Sequence, residues 1–149
     1  EDSQFDKEEF EIVISSLAFH YIEDFHQLCK KVYHYLQPGG SFLFSVEHPI
    51  FTSREEQDWH YDSGGNRIHW PVDHYQSEGI RETDFLTENV VKYHRTISTY
   101  INDVIQAGFT IKAVKEPMAS EEMIQENPDM RDENRRPMFL IISAEKVRN

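Results

Sequence analysis

The chain opens with two short apolar runs that flank an amphipathic segment. Residues 10–16, FEIVISS, are rich in β-branched side chains and have apolar residues on both faces, which predicts a strand buried on both sides, as in a parallel sheet. From about Asp24 to Leu36 apolar residues recur at helical spacing, so a helix follows with Asp24 as its N-cap. The Pro-Gly-Gly at 38–40 predicts a turn, and residues 41–47 predict a second buried strand. The pattern is typical of a βαβ unit with a right-handed crossover.

The segment 48–87 has a different character. It combines aromatic residues, histidines and glycines without a sustained period of 2 or 3.6. A connection this long is usually a lid, a binding loop or a small subdomain. Two interpretations of its aromatic residues stay open: they form a cluster that pins the segment down, or they contact a substrate directly.

The rest of the chain predicts one more helix and two strands. An apolar stripe indicates a helix over about 88–106, closed by a left-handed Gly108. Strands are predicted over 110–114 and 138–144. The acidic stretch between them, 115–137, predicts an exposed and mobile loop. This order of elements predicts an α/β layered domain.

Composition narrows the function classes. With 149 residues the chain has the size of a single domain. Fifteen Lys+Arg against 27 Asp+Glu give a net charge of −12, which disfavours binding to nucleic acid or anionic membranes. No apolar run reaches the roughly 20 residues of a membrane span, and no signal peptide is evident, so we expect a cytoplasmic protein. The single cysteine, Cys29, excludes an internal disulfide.

The candidate chemistry is positional rather than motif-based. The chain contains no G-x-G pair, no P-loop and no H-E-x-x-H, so we expect no metal site despite eight histidines. In open α/β sheets, ligands bind beyond the carboxyl ends of the strands. His20 follows the first strand, and Glu47 and His48 follow the second, so these groups are expected near a cleft. Alternatively, His20 packs beside the next helix and Glu47 is a solvated acid.

The stretch from Phe10 to Phe51 resembles the second half of a class I S-adenosylmethionine-dependent methyltransferase. The family's F-D-x-V strand, H-x-x-x-D, amphipathic helix and L-x-P-G-G find counterparts at residues 10–13, at His20 with Asp24, and at 36–40. Residues 93–109 and the run RPMFLIISAEK resemble the family's closing helix and antiparallel hairpin. The resemblance implies an α/β fold with a partial doubly wound, Rossmann-like sheet. The whole chain, 1–149, is then one partial domain with 48–87 as an aromatic-rich insert or lid.

The resemblance also implies site residues. Its cofactor is S-adenosylmethionine, and the positions that match the family's cofactor contacts are Asp2, Ser15, Ser16, Leu17 and His20. Facing the methyl acceptor, the catalytic candidates are Glu47, His48 and His94, with Tyr93 and Arg95 beside them on the predicted second helix. The family's glycine-rich cofactor loop has no counterpart in this sequence. We therefore expect that the chain alone does not bind the cofactor.

Three hypotheses of function follow. The first is methyl transfer to a small-molecule acceptor, with this chain as the acceptor-side half, since an acidic protein with an aromatic lid suits a small molecule better than RNA. The second is a non-catalytic methyltransferase-like module that acts through homo- or hetero-oligomerisation, with an apolar sheet edge that favours a homodimer. The third is an unrelated enzyme that uses the histidine-rich insert with a metal.

Overall fold

The computed structural model describes residues 4–85 and 87–148. The chain forms two compact units. The first comprises the described residues of Glu1–Val46, Ile97–Lys115 and Ile141–Asn149, and the second comprises those of Glu47–Thr96 and Glu116–Leu140. The assignment of 1–149 to a single partial domain stays a prediction.

The elements of the first unit are, in chain order, β1 (Phe10–Ser16), α1 (Phe25–Tyr35), β2 (Leu36–Glu47), α3 (Ile97–Gln106), β7 (Thr110–Lys115) and β8 (Phe139–Glu145). The last residue of β2, Glu47, and the first two of β8 already belong to the second unit. The described strands of the sheet have the order β1-β2-β8-β7. β1 and β2 are parallel, whereas β7 and β8 are antiparallel. This arrangement confirms the predicted α/β class and its closing antiparallel hairpin.

The first strand and helix form where the sequence predicts them. β1 spans Phe10–Ser16, and α1 begins directly after Asp24, whose Oδ1 accepts a hydrogen bond from the Gln27 N–H at 2.9 Å. This contact satisfies one of the free N–H groups at the helix start. A short 3₁₀ helix, Phe19–Tyr21, connects the two elements.

The Pro-Gly-Gly segment lies inside β2 instead of forming a turn before it. β2 begins at Leu36, and its pairing with β1 jumps from Phe10–Leu36 to Ile12–Ser41, so residues 37–40 are out of register. Gly39 has φ +86°, a conformation that favours glycine. The Gly39 N–H donates to the Lys146 carbonyl and the Lys146 N–H to the Gly40 carbonyl, which extends the sheet across the predicted turn.

The sheet of the first unit has one well-buried face. Phe44 of β2 is buried and contacts Phe25 of α1 and Tyr100 of α3, with ring centroids 5.5 and 6.5 Å apart. Both helices therefore pack on the same face. On β1, Ile12 and Ile14 are 52% and 63% exposed. The prediction that β1 is buried on both sides is thus wrong for the described chain.

Lys146, which directly follows β8, binds the chain where α1 ends and β2 begins. This lysine is 7% exposed, and its Nζ donates to the Tyr33 and Leu36 carbonyls, each at 2.9 Å. Those carbonyls lie at the C-terminal end of α1, where helical carbonyls lack N–H partners and a positive charge is favoured.

The second unit contains the predicted insert together with two later segments. Its elements are α2 (Pro49–Thr52), β3 (His60–Tyr61), β4 (Arg67–His69), β5 (Gly79–Phe85), β6 (Thr87–His94), α4 (Glu121–Glu126) and a 3₁₀ helix (Pro128–Arg135). β3 pairs with β4 and β5 with β6, each antiparallel. The insert is therefore largely ordered into hairpins, which the absence of a hydrophobic period did not indicate.

Two predictions fail in this part of the chain. The helix predicted over 88–106 is helical only from Ile97, because Thr87–His94 forms a strand against β5, although Gly108 ends the helix at φ +114° as expected. The mobile loop predicted over 115–137 contains α4 and the second 3₁₀ helix. Side chains of Ser120 and Asn127 cap these two elements, each accepting a backbone N–H at 3.2 Å. Within the described residues no helix is long and apolar enough to cross a bilayer.

Candidate active site

One face of the β5–β6 hairpin is buried and polar. Strand alternation places Arg81 and Thr83 of β5 on the same face as Lys92 and His94 of β6, and these four residues are at most 8% exposed. The outward face carries apolar Ile80, which is 55% exposed. In this hairpin the polar face is buried and the apolar residue is exposed, the inverse of the usual arrangement. Charged side chains are rarely buried without partners, so the buried face needs polar groups that bind it.

Lys92 is matched by Glu47, the last residue of β2. The ammonium lies 2.7 Å from Glu47 Oε1 and 3.0 Å from Oε2, and it donates to Gln57 Oε1 at 2.9 Å. The side chains of Lys92 and Glu47 are 2% and 10% exposed. Lys92 also lies 5.7 Å from the ring centroid of Phe51, within the range of a cation–π contact. The predicted catalytic carboxylate is therefore an ion-paired group, not a solvated acid.

His94 is held by hydrogen bonds at both ring nitrogens. Its Nε2 lies 2.8 Å from the Tyr75 carbonyl, which can only accept, so Nε2 carries the proton. Nδ1 then accepts from the Thr52 hydroxyl at 2.7 Å. His94 was predicted on a helix, but it ends β6, and this position points it towards α2.

His48 is likewise held at both ring nitrogens. Nδ1 accepts from the Ile50 N–H at 3.0 Å, so Nε2 carries the proton and donates to the Glu116 carboxylate at 2.5 Å. The residue is the N-cap of α2 and is fully buried, and its own N–H donates to the Met138 carbonyl at 2.8 Å. His48 therefore joins the segments that begin at Glu116 and end at Met138.

Burial favours the neutral form of both imidazoles. Desolvation lowers the pKa of His48 below its usual value of 6.5, more strongly than the Glu116 carboxylate raises it. Desolvation also lowers the pKa of His94, aided by the nearby Arg81 and Arg95 charges. Both nitrogens of each ring are engaged in hydrogen bonds, so the two imidazoles orient their neighbours and have no free lone pair.

Arg81 binds carbonyl oxygens rather than a carboxylate. Its Nε donates to Ser53 O at 2.7 Å, and its Nη2 donates to Ser77 O at 2.6 Å and to His74 O at 3.1 Å. Burial lowers the pKa of Arg81 from its usual value. The guanidinium thus fixes the loop that precedes β5. This loop also lines a polar cavity of about 440 Å³.

The aromatic residues of the insert pack on one another and on arginines. Phe51 stacks on Trp70 with ring centroids 5.0 Å apart, and Trp59 meets Trp70 edge-on at 5.4 Å. The Arg136 guanidinium lies 4.4 Å from the Trp70 ring centroid, and Arg135 lies 4.5 Å from that of Trp59. These contacts support the first interpretation of the aromatic residues, a cluster that pins the segment down.

The described cofactor candidates all lie in the first unit. Ser15 and Ser16 end β1, and Leu17 follows with φ +51°, its N–H donating to the Ser45 carbonyl at 2.9 Å. His20 is buried, with its ring 4.2 Å from that of Tyr21. Asp2 lies outside the described residues. The structure thus brings Ser15, Ser16, Leu17 and His20 together on one short segment, and their cofactor roles stay predictions.

Two histidines of the insert lie close together. His60 and His69 face each other across β3 and β4 with ring centroids 5.0 Å apart. Over residues 4–85 and 87–148, no group of three or more potential ligand side chains is placed to hold an ion. The hypothesis of a metal enzyme therefore gains no support from this pair.

The buried polar groups of the β5–β6 hairpin and their partners, together with His48 and Glu116, are called the polar site below. Its members that sequence reasoning missed are Thr52, Gln57, Arg81, Lys92 and Glu116. Lys92 and His94 are two positions apart, which is the spacing of one strand face, but the helical interpretation of this segment hid that signal. Gln57, which has φ +45°, and Glu116 lie in connections, where no period reveals a partner.

The chain is similar to known proteins in both sequence and structure. The methyltransferase domain family matches residues 1–44. A solved structure of a candidate S-adenosylmethionine-dependent methyltransferase from Listeria monocytogenes is 50% identical, with a TM-score of 0.92, over 97% of this chain and 65% of that one. A solved S-adenosylmethionine-dependent methyltransferase from Mesorhizobium loti is 42% identical, with a TM-score of 0.88, over the same shares. An uncharacterised Haemophilus influenzae protein is 36% identical over 93% of this chain and 54% of its own length.

The sheet order, the βαβ start and the antiparallel close define a Rossmann-like methyltransferase fold. The chain is similar to S-adenosylmethionine-dependent methyltransferases in sequence and fold, which confirms the resemblance noted in its sequence. It spans between about half and two thirds of the length of these relatives.

Proposed function

We propose that this chain is the acceptor-side part of an S-adenosylmethionine-dependent methyltransferase that acts on a small molecule. The observation that carries the proposal is the match, at 50% identity over 97% of the chain, to a longer protein of that candidate activity. The acidic net charge of −12 supports a small-molecule acceptor over a nucleic acid.

The polar site of the second unit supplies candidate acceptor contacts. The Glu47 carboxylate, which Lys92 holds in a fixed orientation, would orient a hydroxyl or amine of the acceptor. His48 and His94 would act as positioning residues because both of their ring nitrogens are engaged. The catalytic role that the sequence predicts for His48 and His94 stays a prediction.

The cofactor supplies an electrophilic methyl group when it is bound. The matching positions Ser15, Ser16, Leu17 and His20 would contact its methionine part, and Asp2 its adenosine part. Positioning of the two reactants supplies much of the rate enhancement in such transfers. The chain has no G-x-G loop, so its own affinity for the cofactor is expected to be weak.

Calorimetric titration of the purified chain with S-adenosylmethionine tests this proposal, with the longer Listeria relative as the control. We expect saturable binding to the relative and none to this chain. Saturable one-to-one binding to this chain would overturn the claim that it lacks a sufficient cofactor site. Absence of binding to both proteins would remove the basis for methyl transfer.

A second candidate function rests on β1. This strand pairs only with β2 in the described sheet, and its Ile12 and Ile14 side chains are more than half exposed. Apolar edge strands favour pairing with another chain. A methyltransferase-like module that acts through homo- or hetero-oligomerisation would cover this edge.

Sedimentation equilibrium of the chain and of an Ile12→Lys variant tests this alternative. A dimer that the lysine dissociates would support it. A monomer at all concentrations would exclude the homodimer. Ile105→Lys, on the exposed side of α3, serves as the matched control.

A further inference from the structure

All four methionines of the protein line one cavity in the second unit. The cavity measures about 440 Å³, within the range of small-molecule sites. Its walls come from the 116–140 segment. They consist of Pro117, Met118, Ala119, Met123, Met130, Glu133, Met138 and Phe139. Methionine side chains are flexible and polarisable, so they adapt to apolar and aromatic ligands.

The walls of this methionine cavity are tied together by hydrogen bonds. Asn134 pairs with the backbone of Ala119 through both amide atoms, at 2.7 and 3.0 Å. Ser120 caps the short helix that carries Met123. The cavity therefore has a fixed frame, while Met118 and Met123 are 71% and 44% exposed at its surface.

The cavity adjoins the polar site through His48. The His48 N–H donates to the carbonyl of Met138, and its ring donates to Glu116, the residue next to Pro117. His48 thus holds one wall residue, Met138, through its backbone, and the neighbour of another, Pro117, through its ring. A molecule in the cavity would lie beside residues that the proposed function assigns to the acceptor.

Charge limits what the cavity can hold. Glu133 is the single charged residue among its lining side chains, and one of its oxygens binds Arg136 at 2.8 Å. Arg136 itself is not part of the lining, so a carboxylate or sulfonate in the cavity would lie against the Glu133 carboxylate and not against its cationic partner. A neutral or cationic apolar molecule would not be repelled in this way.

We infer that the methionine cavity binds a neutral or cationic apolar small molecule and rejects anionic ones. Under the proposed function, on which this identification of the ligand rests, that molecule is the methyl acceptor. Binding of an apolar probe does not require the cofactor. A failure of probe binding is therefore distinguishable from a failure of cofactor binding, which would contradict the proposed function.

Two fluorescent probes with the same ring system test the inference: phenylnaphthylamine, which is neutral, and anilinonaphthalene sulfonate, which is anionic. We expect phenylnaphthylamine to bind at one site per chain and the sulfonate to bind at least about tenfold more weakly. Glu133→Gln should strengthen sulfonate binding and leave the neutral probe unchanged. Equal affinity for the two probes in the original chain would overturn the rejection of anions.

The double variant Met118→Ser, Met123→Ser tests whether the neutral probe binds in the methionine cavity. Both side chains are exposed, so the fold should survive, and the neutral probe should bind about tenfold more weakly because apolar contact area is lost. Ile105→Ser, which removes an exposed apolar side chain elsewhere, is the control and should have no effect.

NMR provides an independent readout. Methyl-labelled methionine gives one signal for each of the four methionines, and all four line the cavity, so the neutral probe should shift all of them through its ring currents. The inference would be overturned if the probe binds without shifting any of these signals, or if its affinity is the same in the double methionine variant.

Discussion

Replacing Lys92 by Met should strongly destabilise the second unit. The substitution keeps most of the aliphatic stem but removes an ammonium with two carboxylate contacts, at 2.7 and 3.0 Å, and one contact to Gln57. Glu47, with a side chain only 10% exposed, then loses the Lys92 counter-charge in a buried position. Breaking a buried ion pair in this way costs about 3–5 kcal/mol of unfolding free energy.

Urea unfolding followed by tryptophan fluorescence measures this loss, because both tryptophans, Trp59 and Trp70, lie in the second unit. With a urea m-value of about 2 kcal/mol per M, the midpoint should fall by about 2 M. Arg54→Met removes a comparable but more exposed ion pair, with Glu56, and should cost at most about 1 kcal/mol.

A double-mutant cycle separates the pair from general damage. Combining Lys92→Met with Glu47→Gln should recover about half or more of the loss, because no uncompensated charge remains. If the two substitutions simply add, or if Lys92→Met shifts the midpoint by less than about 0.5 M, the two groups do not form the buried ion pair described above.

Two further predictions concern pH and backbone conformation. Folding lowers the pKa of His48 and His94, so the unfolded state takes up protons first as the pH falls below about 6.5, and unfolding free energy should decrease from about pH 7.5 to 5.5. His94→Gln should flatten this slope in urea titrations, and an unchanged slope would contradict the assignment. Gly108→Ala should cost about 1–3 kcal/mol by circular dichroism, because φ is +114° and the new Cβ lies 2.9 Å from the Tyr33 ring. Gly64→Ala is the control and should change stability by less than about 0.5 kcal/mol.

The elements that sequence patterns located correctly are those with a regular run of apolar residues. β1, α1 and β8 place their apolar residues at strand or helix spacing, and Asp24 provides a readable start signal. Even there, the pattern could not show how many layers cover the sheet, which is why the exposure of Ile12 was missed.

The β5–β6 hairpin could not be found in this way because its polarity is inverted. Ile80 and Val91 point outward, while Arg81 and Lys92 are buried opposite each other. A method that searches for apolar residues inside and polar residues outside assigns such a segment incorrectly. The same inversion hid the partner of Glu47, so the sequence identified one half of the central ion pair.

The tie between Lys146 and the end of α1 has a consequence for the order of folding. Its contact with the Leu36 carbonyl joins residues 110 positions apart. At roughly 5–20 residues per second, a ribosome takes about 5–20 s to make that intervening stretch. During this time α1 lacks its final cation and β2 lacks its neighbour β8, so the early βαβ segment cannot complete its hydrogen bonds until β8 is made. Contacts of such long range also slow refolding of the complete chain.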